Sequence, residues 1–343
     1  FLKLNLMHNK ILIVGNFNWY FYEDALIDGF KSINYDVKKF KLDNTGFFYK
    51  FYCYKKIKKT NTELIKFIDE NLPDVVLFYR TNEIFPTTLK HIKKLHPKLK
   101  LLFFHNDNPF YGIKHKFKYF LYLKCLQYSD ITYVYRPSNI RDALKIKAKN
   151  VQLLYPYYCT KIHLSNKINH KNKINDIVFI GYCETHRVKL INALIKADID
   201  VKVFGPGWSK IAKKLKWPNS VINGPVYGVE YTKIISESKM ALCFLSKINN
   251  DVYTRRNFEI PAIGTIVVSE FTKELSELFI QDKEIILFKD SIELVQKVKI
   301  LLSNDQHIKK VTLAGHKKVI NGRYSEIDRA LQIQKDIDSL NHE

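Results

Sequence analysis

No stretch of the 343-residue chain approaches the roughly 18 consecutive apolar residues that a membrane-crossing helix needs, so none is expected. The five cysteines, Cys53, Cys125, Cys159, Cys183 and Cys243, are scattered and never form a CxxC pair, which speaks against a disulfide framework and a zinc site. A reducing cytoplasm is the expected setting. Neither a Walker loop nor a GxGxxG run occurs, so any phosphate must be met by Arg, Lys and backbone N–H groups. No DxD-like acidic cluster stands out either, and no metal and no cofactor is expected. The opening FLKLNLMHNK reads as too short and too polar for a secretory signal, and Met7 is expected as the true start.

Acidic residues are in short supply: 34 Asp+Glu face 56 Lys+Arg, a net charge of +22. The excess is uneven. Residues 1–175 hold 31 basic against 13 acidic residues, and residues 176–343 hold 25 against 21. A basic first half attracts anionic lipid, nucleic acid or an acidic polymer, unless it only reflects solvated Lys faces. Aromatic and Lys residues interleave at 47–59 and at 114–124. Helical spacing in the second stretch predicts that its aromatics pack inward, whereas the first is more exposed in pattern.

What is present is a repeated alternation of short apolar runs with amphipathic segments. Strands are expected at residues 10–15, 36–42, 74–79, 99–104 and 131–135, with helices at 22–33, 61–71, 86–95 and 115–127. The polar, Asn/Lys-rich residues 161–176 read as a linker. Beyond them the alternation restarts with strands at 177–181, 201–204, 240–245, 265–268 and 284–288. The fold class is therefore α/β, with two parallel-sheet domains facing a cleft. Their expected bounds are 1–160 and 177–343, with the last helix packing back on the first domain as an option. Ligands in such sheets bind beyond the carboxyl ends of the strands, which selects the loops to inspect.

The most informative loop runs from 251 to 264. Asp251 and Glu259 supply carboxylates able to grip sugar hydroxyls, and Arg255 and Arg256 between them supply guanidinium groups able to pair with phosphate. A nucleotide-sugar donor presents both groups. Glu259 is expected to reach a ribose diol and Asp251 the transferred sugar. Gly181, followed by a helix carrying His186 and Arg187, places amides and one guanidinium where a diphosphate would lie, and the Gly205-Pro206-Gly207-Trp208 turn can approach base or phosphate. In the first domain, the loop His105-Asn106-Asp107-Asn108-Pro109-Phe110 follows a buried strand. Asp107 or His105 there is the candidate base for an acceptor hydroxyl, or else only a hydrogen-bonding partner to it.

Several of these runs carry a family resemblance. Thr254-Arg255-Arg256-Asn257-Phe258-Glu259-Ile260-Pro261-Ala262-Ile263-Gly264, then Val268-Ser269-Glu270 and Glu274-Leu275-Ser276-Glu277-Leu278-Phe279, resembles the donor-domain signature of the CgeB-like spore-protein glycosyltransferases. Glu284-Ile285-Ile286-Leu287-Phe288, Ala314-Gly315-His316, Tyr324 and Arg329 extend it, as do Phe179-Ile180-Gly181 and Phe204-Gly205-Pro206-Gly207-Trp208, so it covers residues 177–330. The resemblance implies a GT-B fold of two Rossmann-like domains with a nucleotide-diphosphate sugar between them, and no divalent ion. It also implies a Glu-x7-Glu donor pair, in which Asp251 stands at the first position with a side chain one methylene shorter.

The leading expectation is a hexosyltransferase-type enzyme of cell-surface polysaccharide synthesis. It would move a sugar from its nucleotide-diphosphate donor to a saccharide, lipid-linked or protein acceptor. Peripheral contact with an anionic inner membrane face fits its basic half, and no nucleic-acid partner is expected. The alternatives are a non-catalytic basic protein that binds nucleic acid or anionic polymer, and a sugar-nucleotide epimerase.

Overall fold

The computed structural model of the chain describes residues 9–42, 52–165, 168 and 173–340. Met7 and the aromatic residues at 47–51 lie outside that range. The chain divides into two compact units, one formed by Phe1–Tyr155 with Glu326–Glu343 and the other by Pro156–Ser325.

In the first unit β1 (Lys10–Gly15) leads to α1 (Glu23–Ser32) and β2 (Asp36–Lys41), then α2 (Tyr52–Asn71) and β3 (Val75–Tyr79). There follow α3 (Pro86–Leu95), β4 (Lys100–His105), α4 (Gly112–Lys118), α5 (Phe120–Cys125), β5 (Ile131–Val134), α6 (Ser138–Lys145) and β6 (Val151–Leu153). The strands form one sheet in the order β2-β1-β3-β4-β5-β6, and every pairing is parallel. The unbroken apolar run Val75-Val76-Leu77-Phe78-Tyr79 is buried throughout, as a strand covered on both faces requires. At the edge, β2 leaves Lys38 and Lys39 exposed, charges that discourage pairing with another chain.

The second unit opens with α7 (Thr160–His163), β7 (Asn175–Ile180), α8 (Thr185–Lys196), β8 (Val201–Phe204), α9 (Trp208–Leu215), β9 (Ile222–Asn223) and α10 (Gly228–Ser236). It continues through β10 (Ser238–Cys243), α11 (Arg256–Ile263), β11 (Ile266–Glu270), α12 (Lys273–Leu278), β12 (Ile286–Phe288), α13 (Ser291–Leu302) and α14 (Asp305–Asn321). Its sheet is again all parallel, in the order β12-β11-β10-β7-β8-β9. Phe179, Trp208, Phe244 and Phe288 fill its core, and the Trp208 indole N–H finds a partner in the Gly181 carbonyl at 2.8 Å.

The last helix, α15 (Glu326–Ser339), belongs to the first unit. It buries Ala330, Ile333 and Ile337, and its Asp336 carboxylate accepts from the Tyr133 hydroxyl at 3.0 Å. Gly29 of α1 lets the two helices meet: a Cβ there would lie 2.5 Å from the Glu326 carbonyl oxygen.

The passage between units falls at 155/156, ahead of the polar run where composition suggests it. Burial explains the difference. His163 of α7 is 2% exposed, and Lys173 donates to Ser236 O (2.8 Å), Gly264 O (3.0 Å) and the Thr265 hydroxyl (3.1 Å). That ammonium sits at the carboxyl ends of both α10 and α11, where helix dipoles favour a cation. Desolvation nevertheless lowers its pKa to about 8.

The helix expected at 115–127 is broken at Tyr119 into α4, α5 and a short 3-10 turn, and α2 starts well before residue 61. Among the described residues no helix is long and apolar enough to cross a membrane.

Candidate active site

In the second sheet the chain runs from β7 outward through β8 to β9, then resumes on the other side of β7 with β10. The topological switch point is therefore the crevice between the carboxyl ends of β7 and β10. Gly181 ends β7 there. A Cβ on it would lie 2.8 Å from the Phe179 ring and 3.5 Å from Arg256 Nη1, so the Arg256 guanidinium passes close over the glycine backbone.

A buried polar chain fixes the start of α11, which carries Arg256. The Thr254 hydroxyl accepts from the Arg256 N–H at 3.2 Å and touches Cys243 Sγ at 3.3 Å. Asn257 accepts from the Thr254 N–H at 2.8 Å and donates to the Ser269 hydroxyl at 3.1 Å, which in turn donates to the Cys243 carbonyl at 3.0 Å. Asn257 and Ser269 are fully buried, so this chain registers α11 against β10 and β11. Behind the helix, Gly315 lets α14 pass close to the Glu284 carbonyl, and His316 Nδ1 donates to the Pro261 carbonyl at 3.0 Å.

Glu259, one turn into α11, is 5% exposed. Its Oε1 is held by Arg255 through Nε at 2.8 Å and through Nη2, while Oε2 accepts a longer 3.3 Å bond from Tyr231. His163 Nδ1 lies 3.9 Å from Oε1, yet it makes no ion pair. That nitrogen accepts the Cys159 N–H at 3.0 Å, and burial with help from Arg255 lowers the ring's pKa to about 3. His163 is neutral. Arg255 is thus committed to Glu259, a buried pair that loses most if one partner is removed.

Arg187 is 6% exposed, with its head group on the Tyr182 carbonyl (3.0 Å), the Phe244 carbonyl (3.5 Å) and Glu184 (2.7 Å). These bonds brace the turn after β7 against the end of β10. Gly205 and Gly207 stand beside it: Gly205 has φ +135° with no room for a Cβ, which would sit 2.3 Å from Gly181 O, and Gly207 has φ +88° next to Cys183. Asp251 lies in the loop after β10, where its N–H donates to Ser246 O at 3.0 Å. Glu270, at the end of β11, accepts from the Leu245 N–H at 2.7 Å and pairs with Lys247 at 3.0 Å. Tyr231 does not stand out in the sequence as a site residue, because an aromatic on a helix reads as ordinary packing, and Glu270 is visible there only as part of the Val268-Ser269-Glu270 run.

The first unit gathers a second polar cluster at the carboxyl ends of β1, β3 and β4. Six buried atoms there, Asn16 Oδ1, Arg80 Nε, Thr81 Oγ1, Asn82 Oδ1, His105 Nε2 and Asn106 Oδ1, have no hydrogen-bond partner among the described residues. Buried polar atoms are rarely left so, and this set mixes donors with acceptors as a hydroxylated ligand would require. Glu23 is buried beside them, with Oε1 3.3 Å from the Asn16 N–H; burial pushes its carboxyl up against the pull of backbone N–H groups and Arg80. Spacing alone does not mark it, since a Glu in the first turn of a helix reads as a solvated charge.

His105 Nδ1 accepts from the Asp107 N–H at 3.1 Å, and burial lowers its pKa to about 3. The ring is neutral with its proton on Nε2, which makes it a donor rather than a base. Burial would raise Asp107, but the charge of the His105 ring once protonated at low pH, the Tyr119 hydroxyl donating at 2.7 Å, Arg80 and Lys118 outweigh it and hold the carboxylate well below its ordinary range. With Nδ1 taken by the Asp107 N–H, His105 has no free lone pair to offer, and Asp107 remains as the base candidate of the two.

Residues 187–335 match the family model described as glycosyl transferase-like. No curated protein sequence matches the chain. Among solved structures, the sucrose-phosphate synthase tll1590 of Thermosynechococcus elongatus is similar with a TM-score of 0.69 at 9% identity, covering 98% of this chain and 100% of that one. Anabaena Alr3699/HepE, solved in complex with UDP-glucose, gives 0.69 at 12% identity over 97% and 100% of the two chains. A glycosyltransferase from Rickettsia africae ESF-5 gives 0.68 at 15% identity over 96% and 98%. The family match lies within residues 187–335, and the likeness to these structures is one of fold: two parallel six-stranded α/β units in the GT-B arrangement of elements.

Proposed function

We propose that the enzyme takes a hexose from a nucleotide-diphosphate sugar bound at the strand ends of the second unit. It passes that sugar to a hydroxylated acceptor, a saccharide, lipid-linked or protein group, recognised at the strand ends of the first. The position of Arg256 over Gly181 at the switch point carries the donor half. A guanidinium held over a glycine turn at a strand end is suited to a diphosphate. The UDP-glucose bound by HepE supports a UDP-sugar as donor.

In this reading Arg256 and the amides around Gly181, Gly205 and Gly207 meet the diphosphate. Glu259 takes the ribose through Oε2, whose bond from Tyr231 is the long one, while Arg255 keeps Oε1 in place. Arg187 positions the β7 turn, and Asp251 approaches the transferred sugar. In the first unit the ionised Asp107 accepts the acceptor's hydroxyl proton, and the His105 Nε2–H donates to a neighbouring oxygen. A carboxylate of such low basicity takes that proton only as the new bond forms. Within the glycosyltransferases, the CgeB-like subfamily is the reading supported by the run 254–264 and by the fit of His316 to Pro261. A cytoplasmic setting agrees with the free cysteines Cys125, Cys159, Cys183 and Cys243.

Calorimetry with a panel of UDP-hexoses tests the donor half. Arg256→Ala is expected to bind about 10- to 100-fold more weakly, the worth of a charge-assisted contact to phosphate. Equal affinity in wild type and variant removes the assignment.

A further inference from the structure

The helix α4 buries none of its residues. Ile113 is 86% exposed, Phe117 57% and Phe120, just beyond the break, 53%. Ile113 and Phe117 stand i and i+4 on α4, one turn apart on the same face, and Phe120 follows at the start of α5. Lys114, Lys116, Lys118 and Lys124 are exposed around them, and no Asp or Glu occurs between Asp107 and Asp130. The stripe is also held firmly. Tyr119 and Tyr122 point into the core, and His115 Nδ1 donates to the Asn108 carbonyl at 2.8 Å. The expectation that the aromatics of this stretch pack inward therefore holds for Tyr119 and Tyr122 and fails for Phe117 and Phe120.

We propose that this face of the first unit docks on a bilayer rich in anionic lipid. An exposed aliphatic and two aromatic rings ringed by lysines match a surface that is anionic at the headgroups and apolar just beneath. A second copy of the chain would set lysines against lysines. Nucleic acid would satisfy the lysines and stack on the rings, but it offers no counterpart to Ile113. The inference does not rest on the transferase reading, and each can fail without the other.

The test is co-sedimentation of the full chain with sucrose-loaded vesicles of phosphatidylcholine alone or with about 30 mol% phosphatidylglycerol, which supplies a negative surface potential. Binding is expected on the anionic vesicles only and should weaken as salt is raised. Ile113→Asp with Phe117→Asp should lower partitioning at least about tenfold, and Lys114→Gln with Lys116→Gln about fivefold per charge, as both pairs leave the core untouched. Melting curves matching wild type show that the variants fold. The proposal is overturned if wild type ignores anionic vesicles, if it binds both compositions equally, or if the folded Ile113/Phe117 variant binds like wild type. Retention on duplex RNA that displaces vesicles and ignores the Ile113 change would reassign the face to nucleic acid.

Discussion

At the scale of single residues, burial decides chemistry more than identity does. The spacing of Arg255 and Glu259 is visible in the sequence, and so is their suitability for phosphate and sugar. What spacing does not carry is that Arg255 is spent on Glu259, itself 5% exposed, which leaves Arg256 as the cation at the switch point. His163 shows the same effect as a pH response. Its native pKa of about 3 lies below the ordinary 6.5, so between those values the unfolded chain binds a proton that the folded protein does not. Stability conferred by this group is present above pH 6.5 and is lost as pH falls toward 3. Urea unfolding of wild type and His163→Gln across that window should show the wild type losing stability more steeply, by up to a few kcal/mol at its acid end. Parallel slopes in the two proteins would show that the ring is not held neutral.

At the scale of elements, the strands were legible because parallel strands covered on both faces leave an unbroken apolar run, as in Val75-Val76-Leu77-Phe78-Tyr79. Short or tertiary-dependent pieces were not. β6 and α9 escape a pattern search, and the break at Tyr119 follows from one helical face seeking the core while α4 stays outside it. The Gly205-Pro206-Gly207 turn was legible as a turn, but the need for Gly205 comes from a neighbouring loop, the Gly181 carbonyl. Gly205→Ala should cost more than about 2 kcal/mol, combining a left-side φ with a backbone clash. Donor affinity should fall with it, because Gly181 must move. Thermal melts and donor titration of the purified variant read both, and a melt unchanged from wild type would mean that the turn yields freely.

For the whole molecule, two tandem α/β domains were readable from the restart of the alternation near residue 177, and the basic first half from a simple count. The return of α15 to the first unit depends on a helix–helix approach that composition cannot reveal, with Gly29 as its narrowest point. Gly29→Ala should destabilise the first unit by about 1–3 kcal/mol through overpacking. Hydrogen exchange followed peptide by peptide should show that loss in β1, α1 and α15, with the strands of Pro156–Ser325 keeping their protection. Uniform loss across both units would mean that they unfold as one.

The discontinuity of the first unit also sets an order of events during synthesis. Residues 156–325 must all be made between the first unit's body and the helix that completes it. At about 5–20 residues per second, that interval lasts roughly 8–35 s on the ribosome. Throughout it the face of α1 that will receive Glu326 and α15 has emerged without its cover, so the nascent first unit is the species that a chaperone would meet, and the second unit reaches completion before the first.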